Sequence, residues 1–310
     1  MPIFSWMVNF YRDTVIRKLD AFFNQKRFRG NGYILKLLKA LKRKPSANMI
    51  VQSKYGFKLK IDPVLDKGVE RSIYETGTYE EGTLWILSKI VNKNDIVIDA
   101  GANIGLMTLF FAYTLKAKKV FSFEPMPTTY QLLLDNLRLN KVNNVETFAF
   151  ALSDKTTTGK IYPNLAINRG AASLNKSKAD EEGIPIEIKR LDQVESILEQ
   201  PTISFCKIDV EGSEFLLLKG SEFLFNQEIK PSLCLEFSKD VNSNNSTDTI
   251  YSLLVDTYSY LIFKSTKGKA FKSALKQIKS KEDLPIHDNI YCFDRAVLDK
   301  LPLELFEEKI

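Results

Sequence analysis

From Asp95 onward the chain alternates short apolar runs with helix-like stretches, and this alternation narrows the possible folds more than any other feature. IVIDA (96–100), VFSFEP (120–125), VETFAFAL (145–152), SFCKIDV (204–210) and SLCLEF (232–237) read as strands. Helices are expected at 105–113, 128–140, 191–198, 214–223 and 247–257, followed by two late strands, YLIFKS and NIYCFD. Strands at this spacing with helical crossovers predict an α/β fold: one doubly wound, mostly parallel sheet covered on both faces. A polar stretch, 153–186, interrupts the pattern. Loops this long in a compact domain usually serve function, so it is expected to shape an acceptor site as a lid. Upstream, Met49–Val51 and Phe57–Ile61 read as strands about a Tyr55-Gly56 turn, with helices at Val69–Tyr74 and Gly82–Val91. The expected organisation is a basic amphipathic helical extension over 1–48, a cap over 49–94, and a core over 95–310 carrying the insertion 153–186.

Ligands of doubly wound sheets bind beyond the carboxyl ends of the strands, near the topological switch point. The strand ends therefore carry the chemistry. The first reads Asp99-Ala-Gly101-Ala-Asn103-Ile-Gly105. Its glycines permit a sharp turn and close backbone approach to a ligand. The dinucleotide fingerprint has a different arrangement, and Asp99 just ahead of the glycines would repel a pyrophosphate. A carboxylate there favours a cationic ligand, such as the amino group or sulfonium of S-adenosylmethionine. Glu124 closes the second strand, where an acid accepts both hydroxyls of a ribose. Ser153 and Asp154 follow the third strand, either at an adenine edge or as a turn with Asp154 capping a helix.

The fourth strand ends in Lys207-Ile-Asp209-Val-Glu211-Gly212-Ser-Glu214. Asp209 and Glu211, two apart on an extended segment, share one side until Gly212 turns the chain. Like charges this close raise at least one carboxyl pKa, which suits a general base for a hydroxyl. The same oxygens could hold a divalent cation, or Glu214 could cap the next helix and Asp209 hold a loop. Glu236, ending the fifth strand, is a candidate for binding a substrate hydroxyl. His287, expected in a late loop after Pro285, is either a surface residue or a base at the rim.

Composition removes several function classes. One histidine makes a multi-histidine metal site untenable, and no resident metal is expected. It also excludes Ser-His-Asp hydrolases unless His287 serves. Cys206, Cys234 and Cys292 form neither a disulfide framework nor a CxxC pair, which fits a reducing, cytoplasmic setting. The net charge of +6 is unevenly spread. Residues 1–50 hold eleven Lys and Arg against Asp13 and Asp20, a net of +9, and the other 260 residues are at −3. A uniformly basic nucleic-acid binder is disfavoured. The basic part places Phe4, Met7, Val8, Tyr11, Val15, Leu19 and Phe22 at helical spacing, then alternates leucines and lysines over Tyr33–Lys44. It suits an anionic membrane surface, or docking on its own core or on a second subunit. No spanning segment or uninterrupted signal-peptide core is expected. A second basic stripe, Lys264 to Lys281 without an acid, fits a solvated face, the same surface or an anionic acceptor.

At these residues the chain resembles the FkbM family of S-adenosylmethionine-dependent methyltransferases. The matching pieces are DIVIDAGANIGLMTL (95–109), FSFEP (121–125), the ALSD segment, RGAASL (169–174), KRLDQV (189–194) and KIDVEGSEFLLLKG (207–220). An upstream match contains Tyr74, Glu75, Gly77, Tyr79 and Glu80, so the likeness covers about residues 55–240. It implies a Rossmann-like class I core, S-adenosylmethionine as cofactor, and methyl transfer to oxygen on a hydroxyl-bearing acceptor such as a sugar in a glycan or glycolipid. By the family pattern Asp99, Gly101, Asn103 and Gly105 surround the methionine portion and Glu124 the ribose. The full expected cofactor set is Glu80, Asp99, Gly101, Asn103, Gly105, Glu124, Pro125, Ser153 and Asp154. Asp209 or Glu211 is expected to be the base or hydroxyl binder, and Arg169, Ser173 and Glu236 are substrate candidates.

Rival readings are a methyltransferase of a natural product, protein or nucleic acid, a nicotinamide dehydrogenase, and a membrane-surface scaffold with a nucleoside pocket. DVEG stands where base-methylating enzymes carry Asp/Asn-Pro-Pro-Tyr/Phe or Pro-Cys, so no specific nucleic acid is expected. Asp99 argues against the dehydrogenase.

Overall fold

The computed structural model describes residues 15, 16, 19, 22, 31–41, 44–163, 169, 172–174, 182–238 and 247–308. The expected helical positions Phe4, Met7, Val8 and Tyr11 lie outside these residues, as does the middle of the 153–186 insertion apart from 169 and 172–174. The chain divides into two compact units, residues 1–79 and 80–310. The division falls ahead of the boundary expected at 94, because the helix over residues 81–90 belongs to the second unit.

In the first unit, helix α1 (Asn31–Leu41) precedes an antiparallel pair, β1 (Met49–Gln52) and β2 (Lys58–Ile61). Alternating residues of the pair, Met49, Val51, Leu59 and Ile61, turn inward, the period-two signature of a half-buried ribbon. Helix α2 (Val69–Thr76) follows, and Gly77 stops it by adopting the left-handed region and donating its N–H to the Ile73 carbonyl.

The second unit is built on an eight-stranded sheet with order β12-β11-β13-β10-β9-β3-β4-β5. Its strands are β3 (Ile96–Ala100), β4 (Lys119–Phe123), β5 (Val145–Phe148), β9 (Phe205–Ile208), β10 (Ser232–Ser238), β11 (Leu261–Ser265), β12 (Leu275–Ile278) and β13 (His287–Phe293). From β5 to β10 all pairings are parallel. β13 runs antiparallel between β10 and β11, and β12 is antiparallel to β11. The sheet is thus mostly parallel, as expected, and the reversed β13 distinguishes it from the dinucleotide-binding order 3-2-1-4-5-6. β3 and β9 are buried along their whole length, as central strands covered on both faces must be. The chain leaves β3 toward β4 on one side and reaches β9 on the other, so the switch point lies between β3 and β9.

Three expectations are corrected. The apolar run 145–152 is two strands rather than one. β5 ends at Phe148, whose ring stacks on Phe123 at 4.6 Å, and Phe150 folds back against both rings. The chain then forms β6 (Ala151–Leu152), which pairs with β8 (Ile184–Lys189), itself antiparallel to β7 (Thr157–Ile161). The insertion is therefore partly a small three-stranded sheet instead of a plain loop. The stretch 191–198 is a 3-10 turn (Leu191–Gln193) and a single helical turn (Glu195–Leu198).

Helix α3 (Glu81–Ile90), α4 (Leu106–Leu109, continued by a π turn over Phe110–Thr114), α5 (Pro127–Asn140) and α6 (Glu214–Lys219) pack around this sheet. We expect Phe123→Ala to cost about 3–5 kcal/mol in denaturant unfolding, the range for a buried aromatic. Thr157→Ala, at an exposed position on β7, is expected to stay within about 0.5 kcal/mol.

Candidate active site at the switch point

The turn after β3 is built by close approach. A Cβ on Gly101 would lie 1.7 Å from the Asp209 carbonyl oxygen, and the residue has φ +81°. Only glycine lets the ends of β3 and β9 come this near. Asp99 is fully buried at the end of β3. Its Oδ2 accepts from the Thr108 hydroxyl at 2.6 Å, and Oδ1 has no hydrogen-bond partner among the described residues. Burial pushes the Asp99 carboxyl up, opposed by the Lys207 ammonium. Asn103 holds φ 49°, and its Oδ1 is likewise buried without a partner. Gly105, at φ +90°, starts α4 with its α-carbon facing Leu133.

Glu124 closes β4. Its two oxygens accept the backbone N–H of Asn103 and Met126, each at 2.9 Å, which fixes the carboxylate against the β3 turn. Each oxygen keeps a further lone pair for a ligand hydroxyl. Burial raises this carboxyl to about 7 despite the two donors. Pro125 begins the turn into α5. Ser153 and Asp154 make different commitments. The Ser153 N–H is taken by the Lys189 carbonyl, its own carbonyl packs on Gly220, and Asp154 accepts from the Ser153 hydroxyl. Among the described residues their hydrogen bonds run to Lys189, to Arg190 and to one another.

A second set of acids gathers beyond β9 and β10. Lys207, buried in the middle of the sheet, donates to Asp209 at 2.7 Å. Burial opposes its charge, yet Asp209, Asp99 and Glu80 hold it firmly protonated. Burial also opposes the Asp209 charge, but Lys207 and a hydrogen bond from Glu236 keep that carboxyl low. Glu236 is raised to about 9, by burial and by Asp209, so at neutral pH it carries the proton it shares with Asp209. Glu211 sits at φ 50° and is raised to about 8, by burial and then by Asp209 and Glu214. Oxygens of Asp209, Glu211 and Glu236 all lie within 4.8 Å of one another. Glu214 is occupied in holding the turn, accepting the N–H of Val210 and Gly212.

Other expected residues fall around this centre. Ser173 donates its hydroxyl to the Glu211 carbonyl at 2.9 Å, tying the insertion to the acid-bearing turn. Arg169 is half-buried in the same insertion. Glu80 is buried at φ 49°, with one oxygen on Lys269 at 3.0 Å and the other on the Asn289 amide at 3.0 Å. His287 is the first residue of β13 rather than part of a loop. It is exposed, with Nε2 3.6 Å from Glu236. Sequence reasoning placed Lys269 in the basic stripe and did not foresee that it bridges Glu80 and Glu236, and it missed Asn289, which sits opposite Glu236 in the β10–β13 register. Three of the seven non-glycine residues at positive φ among the described residues, Glu80, Asn103 and Glu211, lie at this rim, where stored backbone strain is common in functional sites.

The residues fit S-adenosylmethionine. The missing Cβ of Gly101 lets the β3 turn close on the end of β9, Asp99 and Asn103 present buried oxygens with no hydrogen-bond partner among the described residues, and the surrounding carboxyls favour a cation. Three expectations follow. Gly101→Ala abolishes cofactor binding in calorimetry, whereas Gly159→Ala, where the clash is with the flexible tip of Ile188, leaves it intact. Carboxyls raised on folding contribute stability that is complete below their unfolded value near 4.5 and is lost as pH rises through the folded values. Thermal stability of the ligand-free protein should therefore fall between about pH 5 and pH 9, given Glu124 and Glu214 near 7, Glu211 near 8 and Glu236 near 9. A bound cation favours the ionised carboxyls, so binding at neutral pH should release protons, seen as a dependence of the calorimetric heat on buffer ionisation enthalpy.

Comparison with known proteins agrees with this chemistry. A family profile described as "Methyltransferase FkbM domain" matches residues 99–262. "Methyltransferase sdnD" of Sordaria araneosa is 32% identical over 159 residues, covering 41% of this chain and 61% of that protein. "Methyltransferase 1" of Beauveria bassiana is 26% identical over 145 residues, covering 41% and 58%. The chain thus spans about three-fifths of the length of these fungal relatives. A tRNA(Phe) aminocarboxypropyltransferase of Methanocaldococcus jannaschii is 35% identical over 95 residues, covering 31% of this chain and 35% of that one. Among solved structures, M. jannaschii TYW2 in complex with AdoMet covers 81% of this chain and 87% of its own, with a TM-score of 0.38 and 17% identity. The sequence resemblance is corrected in two respects. The matched region runs from 99 to 262 instead of about 55–240, which leaves Tyr74–Glu80 outside it. The strand order is also the general class I methyltransferase arrangement, so the fold does not single out one family within that class. With the profile spanning more than half of the chain, this protein carries an S-adenosylmethionine-dependent methyltransferase domain of class I fold and belongs to the family described as Methyltransferase FkbM domain.

Proposed function

We propose that the protein transfers a methyl group from S-adenosylmethionine to a hydroxyl oxygen, with a sugar of a glycan or glycolipid as the acceptor. The observation that carries this reading is the Asp209–Glu211–Glu236 group, set immediately beside the Gly101 turn. S-adenosylmethionine, when bound, supplies an electrophilic methyl on a sulfonium. Asp99, Gly101, Asn103, Gly105, Glu124 and Pro125 are its binding residues in this reading, with Glu80, Ser153 and Asp154 as outer supports.

The chain's own part is to align an acceptor oxygen and receive its proton. Alignment matters most, because an in-line displacement gains chiefly from holding the reacting atoms at the right distance and angle. Lys207 fixes the Asp209 carboxylate, which accepts a hydrogen bond from the acceptor hydroxyl. Glu211, poised near 8, would take the hydroxyl proton as the new C–O bond replaces the methyl–sulfur bond of the cofactor, whose sulfur would leave as a neutral thioether. Glu236 directs its proton to Asp209 and one oxygen to Lys269, and its remaining lone pairs can accept from a neighbouring sugar hydroxyl. Arg169 and Ser173 contribute polar contacts from the insertion. No resident metal is part of this reading.

Residues 1–48 are proposed to hold the protein peripherally at the cytoplasmic face of an anionic membrane. Exposed Val15, Leu19, Tyr33, Leu37 and Leu41, together with the charge of +9 over residues 1–50, support this. No helix among the described residues is long and apolar enough to cross a membrane.

Mass spectrometry of glycans and lipids from cells with and without the gene is the direct test. A gain of one CH₂ on a saccharide supports the proposal. A gain of an aminocarboxypropyl unit, the group named in one relative, or a methyl on RNA or protein contradicts it. With an acceptor in hand, Glu211→Gln should lower kcat about 100-fold or more, the scale of general-base catalysis. It should also remove the limb of the pH profile that rises through about 8. Asp209→Asn should reduce kcat with little change in cofactor affinity.

A further inference from the structure

The hairpin joining β11 and β12 has features that methyl transfer does not use. β11 runs parallel to β10, since both are antiparallel to β13, so residues 266–274 and the start of β13 lie at the rim where β3, β9 and β10 end. The hairpin is pinned there. The Lys269 N–H donates to the Asp288 carboxylate, and a Cβ on Gly268 would just reach van der Waals contact with the same carboxylate. Lys269 turns its ammonium inward to Glu80 and Glu236. Its neighbours turn outward: Phe271 is 65% exposed, Lys267, Lys272 and Lys276 are exposed, and Ile286 beside His287 is 70% exposed. Between Lys264 and Lys281 there is no acidic residue, and Lys272 reaches Glu81 only at 3.5 Å.

An exposed phenylalanine among lysines has the composition of an interfacial membrane anchor, with the ring entering the acyl boundary and the ammonium groups at the phosphates. We infer that the β11–β12 hairpin docks the catalytic unit on an anionic lipid surface, seating Phe271 and Ile286 in the interface so that the acid rim meets an acceptor carried by that surface. This rests on the proposed hydroxyl methylation and adds the physical state of the acceptor: membrane-borne, with its hydroxyl delivered at headgroup level. The positive charge commits the surface to anionic lipid rather than to a neutral bilayer. A polybasic element gains a factor of about five in partitioning for each lysine near such a surface.

The test uses the full chain and vesicles of phosphatidylcholine with or without phosphatidylglycerol. Phe271→Trp should show a blue shift and quenching by brominated lipid, beyond the wild-type signal of Trp6 and Trp85, only when phosphatidylglycerol is present. Lys267→Gln with Lys276→Gln should lower vesicle partitioning by about 30-fold, and Phe271→Ser with Ile286→Ser by a comparable factor. Both double variants should bind S-adenosylmethionine as the wild type does, which shows that they fold. Vesicle binding that persists unchanged in both double variants, with no quenching at position 271, overturns the inference while leaving membrane contact through residues 1–48 standing. Loss of a dimer in sedimentation, with vesicle binding unaffected, overturns it in favour of a second copy on this face. Methylation of a freely soluble acceptor at full rate without vesicles also overturns it, and the methyltransferase reading survives.

Discussion

The approach of the β3 turn to the end of β9 is the constraint from which the rest of the site follows. Gly101 has no side chain, so the Asp209 carbonyl can rest where a Cβ would stand. That contact joins the half of the sheet that presents Asp99 and Glu124 to the half that presents Asp209, Glu211 and Glu236. It also brings several carboxyls into a largely buried space, a condition that would be unsustainable if all were ionised together. Lys207 resolves this. One buried ammonium keeps Asp209 charged, and the other acids respond by rising toward or past neutrality. The result is a site with one fixed anion, several carboxyls near their midpoints, and a net preference for a cationic guest.

Strain and charge are coupled in the same place. Glu80, Asn103 and Glu211 occupy left-handed backbone that a glycine would adopt more cheaply. Each uses the conformation to place a polar group on the rim. Glu80 shares Lys269 with Glu236, Asn103 donates its N–H to Glu124, and Glu211 offers its carbonyl to Ser173. Buried pairs of this kind contribute little net stability, because desolvation offsets the attraction. Their effect here is to hold each carboxyl in one orientation, which is what alignment of a reacting oxygen needs.

Much of the sheet was legible because its central strands are short, mainly apolar runs that close on acids, as in IVIDA and SFCKID. The strand-end carboxylates were legible for the same reason, since an acid closing a buried strand has few places to go except the rim. Other features were hidden by distance along the chain. Lys269 reaches Glu236 from 33 residues away, and Asn289 reaches Glu80 from 209. Nothing local marks either as part of the site. The split of 145–152 was hidden for a different reason. Hydrophobicity continues across it, and the break is decided by rings: Phe148 stacks on Phe123 and Phe150 turns back onto both.

Hydrogen–deuterium exchange with and without S-adenosylhomocysteine tests most directly whether the crevice between β3 and β9 is the cofactor site. Protection concentrated in residues 99–106 and 122–127, with a smaller change at 207–214, is the expected result. Protection confined to other segments, or none at saturating ligand, would contradict the placement of the cofactor on which the proposed chemistry depends.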